Sequence, residues 1–156
     1  MNQYLNISYE EYIGGFRELI GSIGLKNTSQ REYILKVLFE SSKHLSAEEM
    51  QEEIKNRDNT VISMPTIYKI LKLLEELKVV KGISLEGFDS KLYELDIVSH
   101  HDHMVCVSCG NITEFFNTEL EDIQEYIAKE SGFHLQTHTM VMYGKCKSCY
   151  DVDNNS

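Results

Sequence analysis

The chain has 156 residues, 42% of them hydrophobic and 26% charged, with 15 Lys/Arg against 25 Asp/Glu for a net charge of −10 at pH 7. That length bounds one globular unit or two small domains sharing a core, and the composition excludes a disordered chain. No apolar run of ~18 residues is present to span a membrane. The opening segment MNQYLNISYEEY lacks the basic and apolar regions of a secretory signal, so the expected location is the cytoplasm.

Residues 9–23 place Tyr12, Ile13, Phe16, Leu19, Ile20 and Ile23 at helical spacing, and Gly24 supplies a stop. Thr28 or Ser29 caps a second helix, with Ser29-Gln30-Arg31-Glu32 reading as a capping box ahead of an apolar run. Ser46-Ala47-Glu48-Glu49 is another such box and opens a third helix through Met50 and Ile54. Ser63 is expected to cap a fourth helix reaching about Leu77, with Pro65 in its first turn and a buried stripe of Ile67, Ile70, Leu71, Leu74 and Leu77. A strand over 79–85, a turn over 86–90 and a returning strand over 91–95 follow. Short helices followed by a β-hairpin are the order of a winged helix-turn-helix. A looser stretch over 96–99 marks a domain junction. Beyond it the pattern reads as strands at 104–105 and 112–116, a helix over about 119–131 and a long strand over 133–144, a small α+β domain.

Charge and ligand-type residues divide along the same line. Residues 1–92 hold 12 Lys/Arg against 14 Asp/Glu, and residues 93–156 hold 3 against 11. Any DNA-binding face must therefore lie in the N-terminal part, and the acidic excess lies with the candidate metal ligands. The only four cysteines form two pairs, Cys106-x-x-Cys109 followed by Gly110, and Cys146-x-x-Cys149. Each pair can present two thiolates to one tetrahedral Zn2+ from a tight turn. Reduced thiols in the cytoplasm favour such ligation over disulfides. Free core cysteines are the bland alternative; a thiol-redox motif needs one pair and a helix start, not two pairs.

His100-His101-Asp102-His103 sits just before the first cysteine pair. In a strand, side chains alternate between faces. His101 and His103 then share one face, with Glu94 and Glu114 as candidate carboxylate partners. His100 and Asp102 share the other, with Glu121 and His138 as candidates. Mixed His/carboxylate sets suit Fe2+, Mn2+, Zn2+ or Co2+. A solvated polar loop is the competing reading, and His44, far upstream, reads by itself as a surface residue.

Taken in order, several stretches resemble the ferric uptake regulator (Fur) family over about residues 12–150. They are Gly24-Leu25-Lys26-x-Thr28-x-x-Arg31, Pro65-Thr66-Ile67-Tyr68-Lys69-x-Leu71, Tyr93-Glu94, His100-His101-Asp102-His103-x-x-Cys106-x-x-Cys109-Gly110, Glu114-Phe115 and Cys146-x-x-Cys149. The resemblance implies a winged-helix DNA-binding domain over 1–95, a hinge over 96–99, and a small α/β metal-binding dimerisation domain over 100–156. It implies structural zinc on the four cysteines. It further implies a regulatory site of His44, Glu94, His101, His103 and Glu114 bridging the domains, and an accessory site of His100, Asp102, Glu121 and His138. His44 enters that set by resemblance alone. For DNA it implies Tyr68 and Lys69 in the major groove, on a helix whose start includes Ser63 and Thr66, and Lys26 in the minor groove; Arg31 reads as a phosphate contact or a local cap.

Two departures stand out. Lys69 replaces the usual Arg and loses its bidentate fork, and Pro65 stands where alanine is common, although some zinc-responsive members carry it. The implied function is a cytoplasmic, homodimeric repressor that binds palindromic A·T-rich operator DNA when Fe2+ fills the regulatory site, with Mn2+, Zn2+ or Co2+ as substitutes. Neither a membrane nor a small-molecule substrate is expected as a partner. Peroxide sensors of the family tend to use Asp where Glu94 and Glu114 stand, and zinc sensors often recruit a further cysteine; both remain alternatives. From other classes stand a metal buffer and a metal-dependent or thiol-redox enzyme, although no nucleophile–base pair is evident.

Overall fold

The computed structural model describes residues 7–97 and 100–154. It divides into two compact units, Met1–Val98 and Ser99–Ser156. Of the expected hinge, Asp96 and Ile97 form a turn, whereas Val98 and Ser99 lie outside the described residues, as do the first six residues of the opening segment. No helix among the described residues is long and apolar enough to cross a membrane.

The first unit begins with α1 (Tyr9–Ser22), whose apolar stripe buries Tyr12, Ile13, Phe16 and Ile20. A capping box of Ser8 and Glu11, not expected from sequence, opens it. Gly24, at φ 75°, ends it in a conformation that a side chain resists. Thr28 caps α2 (Ser29–Glu40) by accepting from the Arg31 amide. The expected box from Ser29 does not form, because the Glu32 carboxylate is engaged by the Arg17 guanidinium at 2.7 and 2.8 Å. The Ser46–Glu49 box does open α3 (Ala47–Asp58).

Ser63 stands at the N-cap of α4 (Met64–Glu76), but its side chain makes no cap hydrogen bond and pairs instead with the Thr66 hydroxyl at 2.8 Å. Strands β2 (Val80–Ile83) and β3 (Leu92–Leu95) form the antiparallel hairpin. A two-residue strand, β1 (Leu45–Ser46), adds to it in the order β1-β3-β2, with Leu45 opposite Tyr93. Three-helix packing around Ile34, Leu35, Met50, Ile54, Ile67 and Leu71 makes the core, completed by Tyr93 and Leu95 of the hairpin. This is the winged-helix arrangement, and burying each such aliphatic side chain is worth about 1.5–3 kcal/mol.

The second unit is a three-stranded sheet in the order β5-β4-β6, with β4 (Asp102–Cys106) central. β5 (Ile112–Phe115) pairs with it antiparallel and β6 (Val141–Gly144) parallel. Between them in sequence lies α5 (Thr118–Glu130), none of whose side chains is buried. The expected long strand over 133–144 is paired only over its last four residues, because β4 offers a ladder only to Val141–Gly144. A short helix not expected from sequence, α6 (Lys147–Asn154), follows. The small α/β unit is thus as expected, although among its described residues only Asp102, His103, Val105 and Cys106 are buried.

Candidate functional site

The four cysteines converge at one end of the second unit. Cys106 closes β4, and the turn after it returns through Gly110, whose amide donates to the Cys106 carbonyl at 2.9 Å with φ at 73°. Cys146 precedes α6 and Cys149 lies in that helix's first turn. All four sulfurs lie within 4.8 Å of one another, with 3.8 Å between Cys109 and Cys146. A Zn–S bond of about 2.3 Å in a regular tetrahedron gives an S–S edge of about 3.8 Å, so the donor set fits Zn2+.

Its protonation fits too. Backbone amides, that of Cys146 first at 3.3 Å and then that of Cys109, hold the Cys106 thiol down to about 6. Hydrogen bonding to the neighbouring sulfurs, Cys146 first, pushes the Cys149 thiol up to about 12. A dication among the sulfurs would favour the thiolate form of Cys149 despite that upward push. Four thiolates on one ion would leave no open position for substrate, the donor pattern of a structural rather than a catalytic site.

A second cluster forms where β4 begins. His100 Nε2 stands 3.6 Å from Asp102 Oδ1 and 3.4 Å from Glu121 Oε1, and His138 Nε2 stands 3.4 Å from Glu121 Oε2. Asp102 is oriented by the Met140 amide, which donates to its Oδ1 at 3.0 Å. Glu121 is placed by the first turns of α5, capped by Asn117. His100 Nε2, His138 Nε2 and Glu121 Oε1 are buried and make no hydrogen bond to any described residue. Buried polar atoms are rarely left so, and a divalent cation among them satisfies all three. Gln124 Oε1, one turn beyond Glu121, is buried and unpartnered in the same way.

The remaining five expected ligands are divided between the units. In the first, His44 Nε2 stands 3.0 Å from Glu94 Oε2, because β1 and β3 run antiparallel and extending their register by one residue sets 44 opposite 94. In the second, His103 lies opposite Glu114 across β4 and β5, His101 Nε2 stands 3.8 Å from Glu114 Oε1, and the two imidazoles meet edge to face at 4.9 Å. Each group is a partial His/carboxylate donor set: two residues in one unit, three in the other.

The residues expected to meet DNA lie on the first unit. Tyr68 and Lys69 are exposed on α4, opposite the Ile67, Ile70, Leu71 and Leu74 stripe. Lys26 is exposed in the loop before α2, where its carbonyl accepts from Arg31 at 2.6 Å, so Arg31 is a local brace. Between α2 and α4 is an open cavity of about 570 Å3 whose lining includes Arg31, Thr66, Lys69 and Lys72.

The chain as a whole is similar to known proteins. The chain matches the Ferric uptake regulator family over residues 22–143. It is 42% identical over 145 residues to the ferric uptake regulation protein of Campylobacter jejuni, covering 92% of each. Among solved structures it is similar to the ferric uptake regulator of Helicobacter pylori, described as having three functional metal binding sites. That match has a TM-score of 0.83 and 34% identity, over 92% of this chain and 95% of that one. The Francisella tularensis ferric uptake regulator, solved with iron, matches at a TM-score of 0.72 and 31% identity, over 81% of this chain and 96% of that one. With the winged-helix unit, the α/β unit and the donor clusters already in place, the chain belongs to the ferric uptake regulator family of metal-responsive transcription regulators.

Proposed function

We propose that the chain is an Fe2+-activated repressor that binds palindromic A·T-rich operator DNA as a homodimer in the cytoplasm and controls genes for iron uptake. The observation that supports it most directly is the division of a five-residue His/carboxylate set between the units: His44 and Glu94 in one, His101, His103 and Glu114 in the other. Neither part alone fills the coordination shell of a divalent first-row metal. An ion drawing on both supplies the bond energy that holds the units in a single arrangement.

That arrangement sets the spacing of the two α4 helices of a dimer against successive major grooves. Tyr68 meets thymine methyls, Lys69 donates to guanine or phosphate, Ser63 and Thr66 meet the backbone, and Lys26 enters the narrow minor groove of A·T-rich DNA. Dimerisation is supported by the apolar surface of the second unit, where Ile123, Tyr126 and Ile127 of α5 and the nearby Phe133 are exposed. Zn2+ on the four cysteines and a further cation on His100, Asp102, Glu121 and His138 maintain that unit. Iron is favoured by relatives named for ferric uptake, by Glu rather than Asp at positions 94 and 114, and by the absence of a fifth cysteine.

The test is anaerobic fluorescence anisotropy of a palindromic A·T-rich duplex with zinc-loaded protein, titrated with Fe2+, Mn2+ and Zn2+. Tightening at micromolar Fe2+ is expected, and reciprocally the duplex must tighten Fe2+ binding. No DNA binding with any of these ions refutes the repressor reading.

A further inference from the structure

Two consecutive glutamates open α3, and they do different things. Glu49 completes the capping box, its Oε2 accepting the Ser46 amide at 2.8 Å. Glu48 is not needed for that box. Its Oε1 accepts the phenol proton of Tyr68 at 3.0 Å, although the two residues are twenty apart in sequence and on different helices. Its own backbone amide first, and the Tyr68 hydroxyl among the side chains, hold the Glu48 carboxyl below the usual carboxylate range. One exposed carboxylate at the start of α3 thus holds a side chain of α4.

An acidic side chain beside a DNA-facing helix repels phosphate, and nothing in the packing of the core requires it there. What it does is fix a ring. Tyr68 is 44% exposed, and the bond to Glu48 holds its hydroxyl. A tyrosine left to rotate on the surface loses rotamer freedom when it docks on a base. One whose hydroxyl is already held presents its ring edge in one orientation.

We infer that Glu48 is the positioning residue for base reading by Tyr68: it holds the phenol so that the ring discriminates a thymine methyl. The inference rests on the operator-binding reading above. It assigns Glu48 no contact with DNA.

The experiment uses full-length, zinc-loaded protein with Mn2+ and a palindromic operator duplex in which each thymine is replaced in turn by deoxyuracil. In the wild type, one replacement should weaken binding about fourfold, the worth of one buried methyl carbon. Glu48→Ala should abolish that ratio while leaving affinity for a scrambled duplex unchanged or tighter, because a negative charge has gone. Glu48→Gln keeps an acceptor for the phenol and should keep the ratio. Tyr68→Phe should also lose it, and Glu48→Ala combined with Tyr68→Phe should lose no more than either alone.

A role confined to the N-terminus of α3 would lower the melting temperature and leave the thymine ratio intact; that outcome overturns the inference, as do additive effects of the two substitutions. Wild-type binding with no thymine position distinguished also overturns it. Wild-type failure to bind any duplex refutes the repressor reading instead, so the two failures are distinct.

Discussion

Replacing one zinc ligand should unfold half of the molecule and spare the other half. In the second unit the only buried apolar side chains among the described residues are Val105 and Cys106, and α5 buries none. Burying two such side chains is worth about 3–6 kcal/mol. A closed thiolate zinc site contributes on the order of 10–16 kcal/mol, so zinc on the four cysteines would outweigh the apolar core of this unit. The first unit has a contiguous core running from Tyr12 to Leu95 and needs no metal. Cys109→Ser, stripped of zinc by a chelator, should therefore lose amide protection throughout α5 and β4–β6, while α2 and α4 exchange as in the wild type. Hydrogen exchange read by mass spectrometry at fixed protein concentration resolves the two. If the zinc-free variant kept wild-type protection in α5, the reasoning that zinc supplies the cohesion would be wrong.

Other perturbations separate the clusters and the core. His138→Ala removes a ligand from the accessory cluster, and Mn2+ or Co2+ affinity there should fall by more than the roughly 10–100-fold that loss of an outer-shell partner costs. Zinc content measured by elemental analysis should not change. Leu71→Ala, at a fully buried position of α4, should cost about 2–5 kcal/mol and lower the melting temperature of the first unit by on the order of 10–20 °C in calorimetry. The Tyr9 phenol is pushed up to about 12, by burial first and by the Glu32 carboxylate second. A raised folded-state value means that its contribution to stability is complete below pH 10 and is lost as pH rises through about 12. Absorbance at 295 nm should show its ionisation delayed, and Tyr9→Phe should flatten stability over that window.

Much of this was legible locally. Helical spacing located α1–α4, and the alternation of side chains separated His100 and Asp102 from His101 and His103 even though both of the leading histidines precede β4 rather than lie in it. The cysteine pairs gave their own grouping by spacing. What failed depended on partners distant in the chain. Glu32 looked like a capping residue because nothing local showed that Arg17 would take it. His44 looked like a surface residue because its pairing with Glu94 depends on β1, a two-residue strand too short to carry any periodicity. The segment over 133–140 has strand composition but no ladder, and a strand is defined by its neighbour as much as by its residues.

The parallel pairing of β4 with β6 has a consequence for how the two metal clusters of the second unit affect each other. In its register His103 faces Val141 and Cys106 faces Gly144, so Cys106 ends the ladder with Cys146 just beyond it, and His100, Asp102 and His138 gather at the other end. A slip by one residue would turn every side chain to the wrong face and dismantle both clusters together. With an ion in each cluster the ladder would act as a gauge between them, and either ion would stabilise the alignment that the other requires. Such linkage is reciprocal: filling the accessory cluster should slow the surrender of zinc to a chelator, and zinc-depleted protein should hold the accessory ion more weakly although none of its ligands has changed.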